Sequence, residues 1–341
     1  MIQALLWFAG SGAIIVVAGT LLTGAADAIA ERTGLGRAWI GMVLLATATS
    51  LPELVTDIAA VRLGAPDLAA GDLFGSSMAN MLILAVINLL PPQGQVFRRA
   101  ASDHALASVL AIGLTALAAA FVLVRPEGVV LGVSPASLLI LVVFLAGMRA
   151  VYTHGLAIGP RAATPEAPQP TPVSGVGPQV ASLRSAALRF ALAAVVILVV
   201  APRFADAAKQ IADLSGLGTT FVGTWLVGAA TSAPELVTCI AAVRLGAFDL
   251  AVGNLFGSNS FNMIIFVAMD LAHPGGSVFS ALDPAHVLTA LLAVVLMGLG
   301  LGAILSRKEP RFGRWESGSV LMVLTYLGGL WLLYRQTGAH S

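Results

Sequence analysis

Cysteine is nearly missing from this chain: there is one in 341 residues, Cys239, set inside an apolar stretch. A disulfide framework and a thiolate zinc cluster are therefore excluded. Charge is scarce as well. Asp, Glu, Lys and Arg make up 10% of the residues, against about 25% in an ordinary soluble domain. Acidic and basic groups nearly cancel to a net charge of +1, so the basic footprint of a nucleic-acid-binding protein is absent. Five Trp and three Tyr are too few for the aromatic girdles of a membrane β-barrel. What is present is apolar mass. Hydrophobic residues reach 58% and mean hydropathy is +0.92, with Ala, Leu, Val and Gly dominant, the residues that let membrane helices pack closely. The fold class implied is an all-α integral membrane protein with the lipid bilayer as its solvent.

About 20 helical residues cross the hydrocarbon core, and on that measure the sequence contains ten spans. They run over 3–30, 38–63, 67–90, 104–124, 135–151, 185–213, 219–244, 249–272, 285–305 and 317–335. The first continues past signal-peptide length into Asp27 and Glu31 and reads as a retained helix. Ten spans put both termini on one side. Thirteen of the 18 basic residues fall on the opposite face, among them Arg32, Arg37, Arg98, Arg149, Arg184 and Arg311. That face is expected to be cytoplasmic, with both termini external. Six of the 17 prolines lie within residues 160–178, a composition that cannot bury a core. Residues 152–184 thus read as a cytoplasmic linker between an N-terminal half, 1–151, and a C-terminal half, 185–341.

Aligned on itself at an offset of 182, the chain matches Gly41–Met81 to Gly223–Met263 at 28 of 41 positions without a gap. The copies occupy spans two and three and spans seven and eight. Five helices separate equivalent elements, so the copies insert in opposite directions. Two inverted five-helix repeats with a site near the midplane are the signature of secondary transporters.

The repeats share polar residues that a purely structural helix would replace. The first reads Ala48-Thr49-Ser50-Leu51-Pro52-Glu53 and the second Ala230-Thr231-Ser232-Ala233-Pro234-Glu235. A carboxylate at the centre of a membrane helix costs about 2.5 to 3.5 kcal/mol, so each glutamate calls for a cation, a proton or a basic partner. Pro52 and Pro234 cannot donate to the carbonyls of Ala48 and Ala230, and a helix break is expected at each. Thr49 with Glu53 and Thr231 with Glu235 are four apart and share a helix face; Ser50 and Ser232 lie beside them. In the following helices Ser76 with Asn80 and Ser258 with Asn262 repeat the spacing. Everything offered is oxygen. Carboxylate, hydroxyl and amide oxygens describe a hard-cation site such as calcium, with sodium as its competitor. Gly71, Gly75, Gly253 and Gly257 read as close-packing residues.

These segments resemble the alpha repeats of the sodium/calcium exchanger family, in the cation/calcium exchanger superfamily, prokaryotic type. The pattern Gly-Thr-Ser-x-Pro-Glu followed by Gly-Asn-x-x-Gly-Ser-Asn-x-x-Asn is met twice with few departures. The resemblance implies that Glu53 and Glu235 are the central ligands, joined by Thr49, Thr231, Ser50, Ser232, Ser76, Ser258, Asn80 and Asn262. It adds the backbone carbonyls of Ala46 and Gly228, and implies that spans one and six slide across the rest. Two departures stand out. Ala48 and Ala230 replace the family glycine before Thr-Ser, adding a methyl in each copy. Where some members carry Asp at the end of a repeat, Asn80 and Asn262 are both amides, which leaves two central carboxylates to balance one calcium or two sodium ions.

Asp57 and Asp72 break the symmetry, because Cys239 and Asn254 stand at the equivalent positions. The charge argument puts both acids on the external side of the glutamates, where they would line the path by which a cation enters and raise its local concentration. His104, His273 and His286 fall near span ends and are given no metal role. The reading is a secondary antiporter of a bacterial inner membrane, not an enzyme and without a cofactor, exchanging calcium for sodium by alternating access to one site. Calcium/proton exchange is the rival, with protons as the alternative coupling ion. An intramembrane aspartyl protease using Asp57 and Asp72 is the rival of another class, and it lacks the Gly-x-Gly-Asp motif because Ala69 stands at the first Gly. No nucleic-acid partner is expected, and the sequence carries no signal of oligomeric state.

Overall fold

A computed structural model of the chain describes residues 1–89, 96–99, 104–158, 182–214, 231–306, 311–312 and 315–338. The proline-rich segment 160–178 and the first part of the seventh expected span lie outside them. The helices are α1 (Ile2–Thr33), α2 (Arg37–Ile40), α3 (Ala46–Arg62), α4 (Pro66–Leu89), α5 (Val96–Arg99), α6 (His104–Val124), α7 (Pro135–Ile158) and α8 (Leu183–Leu214). They continue with α9 (Ala233–Arg244), α10 (Phe248–Ala272), α11 (Val278–Ala281), α12 (His286–Leu305) and α13 (Ser317–Gly338). A two-stranded antiparallel ribbon, β1 (Arg311–Phe312) with β2 (Trp315–Glu316), precedes α13. Among the described residues nine helical stretches are long and apolar enough to cross a membrane, with Arg37–Arg62 counting as one. Their limits follow the apolar runs of the sequence to within a few residues, apart from α7, which runs on to Ile158. The seventh expected span, 219–244, is represented by Thr231 onward, ending in α9.

Burial divides the helices into two classes. α10 and α4 are the most enclosed, whereas α1, α7, α8 and α13 leave most of their apolar surface outward, as lipid-facing helices do. The centre between them is filled by large side chains. Phe266 of α10 lies 5.8 Å from Phe74 of α4 and 4.7 Å from Phe279 of α11, ring centre to ring centre. On the periphery α1 and α8 form the most extensive helix pair, stacked through Phe8 and Phe204 at 4.4 Å.

The two repeat copies end their first helices in the same way. Gly64 and Gly246 have φ of 79° and 73°, a left-handed conformation in which a Cβ is costly. In both, the next residue reaches back five positions, Ala65 N–H to Ala60 O and Ala247 N–H to Ala242 O, each at 2.9 Å. This closure caps the carbonyls of the helix end and turns the chain directly into α4 and α10.

The prolines behave differently from each other, which corrects the expectation of a break at both. α3 runs continuously from Ala46 through Pro52 to Arg62. Pro52 still withholds a donor from Ala48, but one lost bond in a membrane is cheaper than the several that a broken helix would expose. The irregularity lies instead two to three turns earlier, where Gly41–Leu45 is a π-helical turn between α2 and α3. Pro234 falls in the first turn of α9, where a missing N–H has no helical acceptor to lose; Ser232 before it has left the helical region, with φ −82° and ψ 9°.

Tight crossings hold the π turn against α10. A Cβ built on Gly257 would lie 2.4 Å from the Met42 carbonyl oxygen, and one on Gly253 would lie 2.6 Å from that of Ala38. Both glycines expected to allow close packing in the second copy therefore do so by letting backbone meet backbone. In the first copy Gly71 has only the His286 ring at 3.6 Å, and Gly75 has no described atom within 4 Å.

Candidate functional site

Four helical segments carry the candidate residues. α3 supplies Thr49, Ser50, Glu53 and Asp57; α4 supplies Asp72, Ser76 and Asn80; α10 supplies Asn254, Ser258, Asn259 and Asn262. Thr231 and Ser232 lead into α9, which supplies Glu235. The glutamates are 2% and 1% exposed, a degree of burial that a charged side chain sustains only with a partner. Thr49, Ser50, Ser76, Asn80, Ser232, Ser258 and Asn262 are buried with them.

The structure brings the two repeat copies together side chain to side chain. Asn262 Nδ2 donates to Ser76 Oγ at 2.8 Å. Thr49 Oγ1 lies 3.4 Å from Ser258 Oγ and donates to Asn254 Oδ1 at 3.3 Å. Thr231 Oγ1 donates to Asp72 Oδ1 at 3.4 Å. Asn80 Nδ2 donates to Asn259 Oδ1 at 2.8 Å, and Asn259 Nδ2 donates to the Ser77 carbonyl at 3.4 Å. Each of these bonds joins a helix of the first copy to a segment of the second. The Ala46 carbonyl accepts from Thr49 Oγ1 at 3.2 Å; Gly228 lies outside the described residues.

A group of oxygens is left over. Ser50 Oγ, Glu53 Oε2, Asp57 Oδ2, Asn80 Oδ1, Ser232 Oγ, both carboxylate oxygens of Glu235 and Asn262 Oδ1 are buried without a hydrogen-bond partner among the described residues. An unsatisfied buried polar group costs about 1 to 3 kcal/mol, and more when charged. The amide nitrogens of Asn80 and Asn262 are used in cross-copy bonds, which leaves their acceptor oxygens over. The Thr49 hydroxyl comes near Glu235 without reaching hydrogen-bonding geometry. The charges acting on Glu53 are those of Glu235, Asp72 and Asp57, so among the described residues its charged neighbours are carboxylates.

Such a donor set suits a hard cation. Acceptor oxygens of carboxylate, hydroxyl and amide type are what calcium and sodium take, and neither sulfur nor imidazole is among them. Among the described residues no three His, Cys, Asp or Glu side chains converge to hold a metal ion. A hard cation held between the glutamates would therefore draw on hydroxyl and amide oxygens to complete its shell.

Several contacts go beyond the sequence reading. Asn254 and Asn259 act as cross-braces, Asn254 also donating to Thr238 Oγ1 at 3.1 Å. Asp72, expected along an access path, reaches the site itself through Thr231. His104 Nε2 pairs with Asp249 Oδ1 at 2.9 Å and His286 Nε2 with Asp67 Oδ1 at 3.1 Å. Both partners of the second pair lie 182 positions from those of the first. Extending the self-alignment beyond residue 81 would have found that relation.

Comparison with known proteins decides what the chain is. The family profile described as sodium/calcium exchanger protein matches residues 3–149 and 185–335. The chain belongs to the sodium/calcium exchanger family. Inner membrane protein YrbG of Escherichia coli is 28% identical over 325 residues, covering 94% of each chain. Sodium/calcium exchanger MaX1 of Methanosarcina acetivorans is 29% identical over 145 residues, 42% of this chain and 39% of that one. The solved structure of the sodium-calcium exchanger NCX_Mj superposes with a TM-score of 0.68 over 96% of this chain and 97% of the other at 19% identity, a likeness of fold. Membership makes this exchanger-family chain a multi-pass membrane protein and a cation/calcium antiporter, not an enzyme. The protease reading of Asp57 and Asp72 is thereby discarded.

Proposed function

We propose that this member of the family exchanges sodium for calcium by alternating access to one midplane site, with Glu53 and Glu235 as its central ligands. The observation that carries the reading is the pair of buried glutamates: Glu53 Oε2 and both carboxylate oxygens of Glu235, with the side-chain oxygens of Ser50, Ser232, Asn80 and Asn262, have no hydrogen-bond partner among the described residues. Two carboxylates balance one calcium or two sodium ions, so the two cargoes compete for the same oxygens. The empty, doubly charged site is too costly to carry through the bilayer, which couples movement to occupancy. Thr49, Thr231, Ser50, Ser232, Ser76, Ser258, Asn80 and Asn262, with the carbonyls of Ala46 and Gly228, complete the shell. Asp57 and Asp72 stand on its external side and attract cations towards it.

The architecture that goes with this function is ten spans in two inverted five-helix halves, 1–151 and 185–341, joined by a cytoplasmic linker over 152–184. Both termini are external and the membrane is a bacterial inner membrane. α1 and α8, packed on each other and largely outward-facing, are the pair that slides. α1 touches the second copy where Gly19 lets Val237 approach; a Cβ there would lie 2.7 Å from Val237 Cγ1.

Uptake of radioactive calcium into proteoliposomes tests the coupling ion, with outward sodium and outward proton gradients imposed separately. Uptake driven by sodium alone is expected. Uptake driven by protons alone would replace this reading with calcium/proton exchange.

A further inference from the structure

We propose that Arg37, with Asp27 and Glu31, forms an ion-pair latch at the cytoplasmic end of α1 that favours one arrangement of the sliding pair over the other. The inference rests on the sliding of α1 and α8 given above and concerns what sets the balance between the two ends of that slide.

The latch crosses a hinge. α1 is followed by Gly34 and α2 is preceded by Gly36, with φ of 69° and 80°, left-handed backbone that glycine adopts at little cost. A Cβ on either would meet no described atom within 4 Å, so the turn between the helices is free of packing at both glycines. Arg37 reaches back over it. Its Nε donates to Asp27 Oδ1, and its Nη2 donates to Asp27 Oδ2 at 3.3 Å and to Glu31 Oε1 at 3.0 Å. Asp27 and Glu31 are four apart and share a face of α1, so one guanidinium meets both acids and takes Asp27 in a bidentate fork.

Beyond the hinge, Arg37 belongs to the core. A Cβ on Gly41 would lie 2.5 Å from the Leu250 carbonyl oxygen, and one on Gly253 would lie 2.6 Å from that of Ala38. The charge of Asp249, also on α10, acts on Arg37. α2 is thus seated on α10 backbone to backbone and stays with it when α1 moves. A slide of half a helical turn, about 2.7 Å, takes atoms now 3.0 and 3.3 Å apart out of hydrogen-bonding range. The latch therefore closes at one end of the slide only.

The second copy keeps the hinge and loses the latch. At the offset of 182, Gly34-Leu35-Gly36 recurs as Gly216-Leu217-Gly218, and Asp213 stands for Glu31. Lys209 replaces Asp27 and Thr219 replaces Arg37, so the bidentate pair of the first copy has no equivalent charges in the second. The copies are inverted, which puts the second hinge at the external face. A latch at one face alone tilts the equilibrium towards the arrangement in which it is closed. Apparent affinity at each face scales with the fraction of protein open to that face, so the tilt is readable in calcium binding from the two sides.

The test is the calcium concentration giving half-maximal sodium-driven uptake, measured in right-side-out and in inside-out membrane vesicles. Arg37→Gln and Asp27→Lys are each expected to change the ratio of the two values about two- to fivefold, both in the same direction. Arg37→Lys keeps the charge and is expected to change it less than Arg37→Gln. A ratio that stays at the wild-type value in both Arg37→Gln and Asp27→Lys, or that moves in opposite directions in the two, overturns the latch. A second readout is the doubly substituted Asp27→Cys, Arg37→Cys protein, in which a short bis-methanethiosulfonate cross-linker is expected to stop exchange and a reductant to restore it. Cross-linked protein that exchanges at the uncross-linked rate overturns the latch together with the slide. Wild-type calcium uptake that ignores sodium would instead overturn the functional reading.

Discussion

His104 of α6 lies 2.9 Å from Asp249 of α10, and the same contact recurs 182 residues on, between His286 of α12 and Asp67 of α4. Each pair ties a helix from one half of the sequence to a helix from the other. The two differ in burial. His104 and Asp249 are 1% and 34% exposed, whereas His286 and Asp67 are 17% and 52% exposed. His104→Ala removes a buried ring from a satisfied contact and is expected to cost about 1 to 3 kcal/mol. His286→Ala breaks an exposed pair worth about 0.2 to 1 kcal/mol. Thermal unfolding in detergent separates the two, with the larger loss of melting temperature in His104→Ala.

The crossing of α10 over the π turn leaves no room for a methyl group. Gly257→Ala would place its Cβ 2.4 Å from the Met42 carbonyl oxygen and 2.7 Å from Met42 Cα, and backbone cannot rotate out of the way. Overpacking of this kind costs about 1 to 3 kcal/mol, and it pushes the π turn and Ala46 away from the site. Gly298 in α12 has no described atom within 4 Å of a Cβ. Gly298→Ala is expected to be neutral or to stabilise by up to about 1 kcal/mol through helix propensity. Folded yield and melting temperature of the two variants check the contrast.

Much of the architecture was legible in the sequence, because span limits depend on apolar runs and apolar runs are local. Thr49, Glu53, Thr231 and Glu235 stand out in the sequence as candidates, because they are polar residues kept in two copies inside membrane spans otherwise made of Ala, Leu and Val. What was hidden is which side chain meets which across the copies. The spacing put Thr49 on the face of Glu53 but could not pair it with Ser258 and Asn254. Asp72 read as lining an access path since its hydroxyl partner, Thr231, is 159 residues away. Pro52 read as a break because a lost helical bond is a local fact, while the packing that carries α3 through it is not.

Thr49 sits where the copies join, between Ser258, Asn254 and Glu235. Thr49→Val keeps the shape and removes the hydroxyl, leaving Asn254 Oδ1 without its donor and the shell without one oxygen. A lost hydrogen-bonding group at a charged centre amounts to about 1.5 to 3 kcal/mol, which corresponds to a weakening of calcium affinity of roughly 10- to 150-fold. The concentration dependence of calcium uptake measures it. Ser77→Ala provides the comparison: its hydroxyl bonds back to the Leu73 carbonyl at 2.8 Å within α4, so calcium affinity is expected to remain near wild type.

The central claim is that two buried glutamates, one from each repeat copy, hold a cation that sodium can replace. Equilibrium binding of radioactive calcium to the purified protein, titrated with sodium, tests it most directly when Glu53→Gln and Glu235→Gln are measured alongside. The expected result is saturable calcium binding to the wild type that sodium displaces competitively, and loss of that binding in both variants. Calcium binding that survives both substitutions, or that sodium leaves unchanged, would contradict the account.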